Sequence, residues 1–186
     1  MSPADPLAAI VRELERCEIP FMLAGSFAST YHGEPRTTHD IDIVIDPSER
    51  TLGELVRALS PESFYVSEQA AAEAWRRRGQ FNLVHMSSGW KVDLILRKSR
   101  PFSREEFSRR ERAEIAGTPV YIASAEDTIV AKLEWALAGE SERQLRDVVS
   151  ILDMRGGEID RSYIARWVEE LGLQALWEQA VRLSEG

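Results

Sequence analysis

The stretch LAGSFASTYHGEPRTTHDIDIVI, residues 23–45, decides how this chain is read. It follows a short apolar run with the pair Gly25-Ser26 and ends on acids alternating with aliphatic residues. In DIDIVID (40–46), Ile41, Ile43 and Ile45 share one face of an extended strand. Asp40, Asp42 and then Val44 share the other. Carboxylates two residues apart on a strand repel each other unless a cation lies between them. Hard oxygen donors select Mg²⁺ or Mn²⁺, and Mg²⁺ is typically held by one or two carboxylates together with substrate phosphates. The plainer reading is a strand with one solvated face, on which aspartate at alternate positions needs no ligand.

Working outward, FMLAG (21–25) reads as a short buried strand and SFASTYH (26–32) as a helix opening at Ser26 and ended by Gly33. A strand running through Gly-Ser into a helix presents free backbone N–H groups and a positive dipole end, a seat for phosphate oxygens. Glycine lets the backbone approach closely, and the serine hydroxyl adds a contact. Ser26 as an ordinary helix cap is the competing reading. A third acid comes from KVDLIL (91–96): Val92, Leu94 and Leu96 line one face, and Asp93 lies with Ile95 on the other. An aspartate inside so apolar a strand costs free energy unless it is bound or paired. A salt bridge to a neighbouring arginine or a strand-edge position would also satisfy it.

The rest of the chain alternates helices and strands. Asp5-Pro6 opens a first helix, Asp5 as its cap, with Leu7, Ile10, Val11 and Leu14 on one face. Leu52, Leu55, Val56 and Leu59 mark another helix, SFYV (63–66) a strand and EQAAAEAWRRR (68–78) a helix. QFNLVHM and WKVDLIL flank the turn SSG as a hairpin. Ser103 to Glu106 predicts a capping-box start, and AEIAGTPVYIAS two short strands around Gly117. From Ser124 the pattern is helical, with capping boxes at Ser124/Asp127 and Ser141/Gln144 and two further helices over 160–184. The expected class is α/β (α+β), a small mixed sheet flanked by helices over residues 1–123 followed by a helical part over 124–186.

With 186 residues, 44% hydrophobic and 29% charged, the composition is that of a globular protein long enough to bury a core. The net charge of −8 gives no general attraction to polyanions. A single cysteine, Cys17, excludes a disulfide framework, and no Cys/His group has zinc spacing. The first residues lack a secretion-signal pattern, and no apolar run reaches the roughly 20 residues that span a bilayer. The expected location is cytoplasmic.

Together these residues resemble the signature of the DNA polymerase β-type nucleotidyltransferase superfamily: an apolar strand, Gly-Gly or Gly-Ser, then Asp-hydrophobic-Asp. Thirteen residues separate Ser26 from Asp40, with Gly33, Arg36 and Thr38 among them. That spacing is similar to the AbiEii-type group of abortive-infection toxins and their relatives. KVDLI resembles the third-acid motif of that group, and EDTIVAKLEWA with RQLRDVVSIL its C-terminal pair, Lys132 on one helix and Asp147 after Arg146 on the next. The resemblance spans residues 20 to about 152.

It implies a nucleotidyltransferase fold and transfer of a nucleoside monophosphate from an NTP to an acceptor, with release of pyrophosphate. Asp40, Asp42 and Asp93 would hold Mg²⁺ or Mn²⁺. Asp93 would also take the proton of the acceptor hydroxyl or orient it. Gly25 and Ser26 would grip the triphosphate, with Lys132 reaching toward it and Asp147 orienting Lys132 or contacting the nucleotide. The acceptor implied is a tRNA end, and the partner an antitoxin protein. A metabolite, an antibiotic or a partner protein stays open as acceptor.

Each role has a structural counterpart. Lys132 can be a snorkelling lysine, Asp147 a helix-surface ion pair and Arg36 a structural ion pair rather than a phosphate contact. His39 reads as loop and Asp46 as solvated. The arginine-rich stretches 75–79, 97–100 and 108–112 would suit RNA, but their interleaved glutamates favour a solvated surface. The five tryptophans read as core. The rival function is a nucleotide- or partner-binding module that keeps the fold without turnover.

Overall fold

The computed structural model describes residues 4–38, 40–59, 61–139 and 141–185. His39 lies outside them, as do the side chains of Asp5 and Ser141, the two expected caps. The chain divides into two compact units, Met1–Ala24 with Thr38–Ile122 and Gly25–Thr37 with Ala123–Gly186.

The first unit holds a seven-stranded sheet. Its elements are α1 (Ala4–Arg16), β1 (Phe21–Leu23), β2 (Asp40–Ile45), α3 (Glu49–Ala58), β3 (Phe64–Val66), α4 (Glu68–Arg77), β4 (Gln80–His85), β5 (Lys91–Leu96), α5 (Pro101–Ser108), β6 (Glu111–Ile115) and β7 (Thr118–Ile122). The strand order is β3-β4-β5-β2-β1-β7-β6. β2 runs parallel to β5 and β1 parallel to β7, while the other pairs are antiparallel. The mixture follows from the connections: short turns close the β4–β5 and β6–β7 hairpins, whereas parallel neighbours need longer crossovers.

One sheet face is apolar and builds the core. Ile41, Ile43 and Ile45 of β2, Leu83 of β4 and Val92, Leu94 and Leu96 of β5 are at most 1% exposed. Leu7, Ile10 and Leu14 of α1 and Leu55 of α3 are buried to the same degree. The predicted β2 alternation holds, its residues reading exposed or half-buried and buried in turn. The β6–β7 turn places Ala116 at φ 50° and Gly117 at φ 80°. Two consecutive left-handed residues are what a two-residue hairpin turn requires.

The second unit contains α2 (Gly25–His32), α6 (Ala125–Leu137), α7 (Ser141–Arg155), α8 (Arg161–Leu171) and α9 (Gln174–Ser184). The segment 25–37, expected from the sequence in the first part, clusters here with the C-terminal helices. Helix α2 packs on α6 and α7, and α7 on α6 and α9. Ala28, Ile129, Val130, Leu133, Val148, Ile151 and Ile164 are fully buried among them. Ser124 caps α6 by accepting from Asp127 N, and its hydroxyl donates to Asp127 Oδ2 at 2.7 Å. Tyr163 of α8 donates to the other Asp127 oxygen at 2.5 Å, so this buried acid ties the two helices together. Gly33 follows α2 at close quarters: a Cβ there would lie 2.5 Å from Ser150 Oγ and 3.0 Å from the Ser29 carbonyl.

Several expectations are corrected. Helix α1 begins at Ala4, so Asp5 lies inside its first turn. Helix α5 begins at Pro101, not Ser103, because proline presets the first helical φ. Ser103 instead accepts from Arg100 Nε at 3.0 Å. Asp46 is pinned by Arg97 at 2.8 Å and Arg78 at 3.5 Å rather than solvated. Of the tryptophans, Trp167 is buried but Trp135 is 55% exposed, because it lies on the side of α6 away from Ile129 and Leu133.

Candidate functional site

The sequence-derived residues form two clusters, one in each unit. In the first, the parallel register pairs Asp42 with Asp93 and Asp40 with Lys91 across β2 and β5. Neighbouring strands at equivalent positions turn their side chains to the same face. Asp40, Asp42 and Asp93 therefore share the face opposite the isoleucine core. On the far side of β5, Asn82 of β4 is the register partner of Asp93, so a polar row Asn82–Asp93–Asp42 crosses three strands.

Exposure grades along that row. Asp40 is exposed, Asp42 half-buried and Asp93 8% exposed. The buried carboxylate meets its need for a partner within its own strand: Lys91 Nζ donates to Asp93 Oδ2 at 2.8 Å. The Lys91 ammonium is held above the usual lysine range, first by the hydrogen bond to Asp93, which outweighs the opposing effect of burial, and then by the weaker fields of Asp93, Asp40 and Asp42. All three acids thus stabilise one cation.

A divalent ion fits this face in donor chemistry and in charge. The donors are all carboxylate oxygens, as Mg²⁺ and Mn²⁺ prefer, and their combined field favours a cation. Among the described residues no three His, Cys, Asp or Glu side chains are gathered at ligating separation. The cation that Asp93 holds is the Lys91 ammonium.

The second cluster is built on α2, α6 and α7. The chain passes from β1 through Ala24 to Gly25 at φ 57°, a left-handed conformation open to glycine, and enters α2 at once. Ser26 stands in the first turn, 9% exposed, and its hydroxyl accepts from Arg36 Nη2 at 2.8 Å and from Arg143 Nη2 at 3.5 Å. Arg36 also grips Asp147 with both arms of its fork, Nε to Oδ1 at 3.0 Å and Nη2 to Oδ2 at 2.9 Å.

Asp147 is the hub of this group. Lys132 Nζ lies 2.7 Å from its Oδ2, and Ser29 Oγ donates to the same oxygen at 3.1 Å. Both members of the Lys132–Asp147 pair have side chains 7% exposed. Burial pushes the Asp147 carboxyl up, but the hydrogen bonds from Arg36 and Lys132 and their charges outweigh it, and its pKa is lowered. A helix-surface ion pair does not describe it. With Arg36 and Lys132 sharing one acid and Arg143 reaching the Ser26 hydroxyl, three basic side chains and one carboxylate meet at the amino end of α2. Charge and dipole there both favour an anion.

Sequence reasoning did not single out Arg143, Ser29, Lys91 or Asn82. Three of them obey simple spacing: Arg143 is one helical turn before Asp147, Ser29 three residues after Ser26, and Lys91 two before Asp93 on the same strand face. Asn82 becomes visible only through strand register. The arginine-rich stretches are largely engaged within their own unit, Arg77 with Glu73, Arg97 with Asp46 and Arg110 over the Phe107 and Tyr121 rings.

No protein-family model and no curated protein matches the chain. Solved structures do. An antigenic nucleotidyltransferase-like protein from Paracoccidioides brasiliensis superposes with a TM-score of 0.58 at 16% identity, covering 96% of this chain and 94% of that one. The antibiotic-resistance factor ANT(2'')-Ia gives 0.55 at 16% identity, with 97% and 93% covered. The lincosamide antibiotic adenylyltransferase LnuA, bound to lincomycin, gives 0.50 at 12%, with 78% and 94% covered. The chain has the fold of these nucleotidyltransferases, as its sequence predicts. No helix among the described residues is long and apolar enough to cross a membrane.

Proposed function

We propose that this protein is a divalent-metal-dependent nucleotidyltransferase that moves an NMP group from an NTP to an acceptor hydroxyl. The observation that carries the reading is the β2–β5 register, which sets Asp42 opposite Asp93 on the face that also bears Asp40. Asp40, Asp42 and Asp93 would hold Mg²⁺ or Mn²⁺. Bound there, the ion supplies neutralisation of the charge that gathers on the transferring phosphoryl group and the leaving pyrophosphate.

The chain's own groups do the rest. The N–H groups at Gly25 and Ser26, with Arg36 and Lys132, hold the triphosphate, while Asp147 fixes the rotamers of both cations through the contacts described above. Asp93 orients the acceptor hydroxyl and receives its proton. The acceptor oxygen bonds to the α-phosphorus as the α–β phosphoanhydride bond breaks and pyrophosphate leaves. Positioning and charge neutralisation provide most of the rate. The AbiEii-type resemblance supports a tRNA end as acceptor and a toxin paired with an antitoxin. The likeness to ANT(2'')-Ia and LnuA, named for antibiotic resistance and antibiotic adenylyl transfer, supports a small hydroxylated acceptor.

One observation favours a second reading, a nucleotide-binding module without turnover: the third acid is already neutralised by Lys91. Incubation with Mg²⁺, each labelled NTP in turn, and either total tRNA or hydroxylated antibiotics separates the two. Label transfer that disappears in Asp42→Asn establishes the enzyme. NTP binding without transfer to any acceptor establishes the module, and transfer unchanged in Asp42→Asn refutes the metal assignment.

A further inference from the structure

We propose that the Lys91 ammonium is a tethered placeholder for the divalent ion: it occupies the acid face until metal arrives and must swing out for the metal to bind. The inference rests on the metal reading of Asp40, Asp42 and Asp93 and extends it to a residue outside that set. Lys91 and Asp93 are two apart on β5, so both side chains rise from one face, and Lys91 is the register partner of Asp40. The ammonium therefore lies on the face of the three acids, in contact with Asp93 at 2.8 Å and within the fields of Asp40 and Asp42.

The exposures show which partner can move. The Asp93 side chain is 11% exposed and fixed in the sheet, while that of Lys91 is 42% exposed on a flexible four-carbon stem. Without the ammonium the acids of this face would repel one another, and the buried Asp93 would lose the partner that it has at 2.8 Å. An ammonium relieves both and still leaves when a doubly charged ion competes for the same oxygens. A guanidinium, planar and able to bind carboxylate bidentately, would be a poorer placeholder because it would release the acid less readily. Exchange of one cation for another also keeps the apo face folded in the geometry that the metal needs.

The chain contains only three lysines, which makes the exchange readable. Lys98 is exposed and Lys132 is 5% exposed, so amine-reactive labelling followed by mass spectrometry has an internal high and low standard. The full-length protein is labelled with and without Mn²⁺, and Mn²⁺ affinity is measured by the loss of the free-ion paramagnetic resonance signal. Labelling of Lys91 is expected to rise severalfold toward that of Lys98 when Mn²⁺ binds. Removing the competing charge in Lys91→Met should tighten Mn²⁺ binding on the order of tenfold, and Lys91→Arg should weaken it.

If wild type binds Mn²⁺ but Lys91 labelling and the affinity of Lys91→Met do not change, the placeholder role is wrong and the metal reading stands. If wild type binds Mn²⁺ no better than Asp42→Asn, the metal reading itself fails and takes the placeholder with it.

Discussion

Lys91–Asp93 and Lys132–Asp147 are ion pairs of nearly equal length, 2.8 and 2.7 Å, in opposite surroundings. The first joins an accessible lysine to a buried acid on one strand. The second joins two side chains each 7% exposed on different helices, with Arg36 and Ser29 completing the shell of the acid. Distance therefore says little about what either pair does. In the first pair one partner can leave, so the site can exchange its cation. In the second the carboxylate is surrounded by donors, and it acts as an anchor that positions two cations.

The contrast can be broken most severely at the acids. Asp42→Asn should lower NMP transfer by more than about a hundredfold, since removal of one group that stabilises transition-state charge typically costs that much. Its midpoint in urea should hardly change. A variant that unfolds would show instead that Asp42 is structural.

At the anchor the expectation reverses. Asp147→Asn leaves Arg36 and Lys132 without their shared acid, and breaking a buried pair in this way costs about 3–5 kcal/mol. Chemical denaturation measures it, and a loss below about 1 kcal/mol would make the second pair as expendable as an exposed one. Next in size is Gly33→Ala. The added methyl would meet Ser150 Oγ, which accepts from the Glu34 amide at 2.6 Å and is not free to turn away. Overpacking of this kind costs about 1–3 kcal/mol.

The acid limb of the stability curve sharpens the contrast further. The folded-state pKa of Asp147 is lowered, so its contribution is complete above its unfolded value of about 3.9 and is lost as pH falls through the lower folded one. Wild type should lose stability more steeply below about pH 4 than Asp147→Asn does, a difference seen in melting temperatures across that range. Last, Lys91→Met should lower metal-free stability by about 1–3 kcal/mol, because it leaves the buried Asp93 carboxylate without its ammonium.

Legibility in the sequence followed the range of the interaction. β2 and β5 could be read because alternation is a local property, and the register then brought their acids to the same face. The helix after Gly25-Ser26 was legible for the same reason. Asp147 looked like a surface residue because its burial comes from α2 and Arg36, more than 100 residues earlier in the chain. Local spacing places Lys91 beside Asp93, but a lysine two residues from an aspartate on a strand reads equally as a solvated residue, and only the structure shows the pair at 2.8 Å. The start of α5 failed on competing local signals, where Pro101 prevailed over Ser103.

The second unit is discontinuous, with Gly25–Thr37 contributed near the amino end and Ala123–Gly186 afterwards. During synthesis, then, α2 leaves the ribosome long before α6 and α7 exist to cover Phe27, Ala28 and His32, which the finished protein buries. A nascent chain stopped at residue 123 would lack both α6 and α7, the helices that pack on α2. Helix α2 is the segment on which a holdase chaperone would be expected to act, and the anchor at Asp147 would close only when the last third of the chain has been translated.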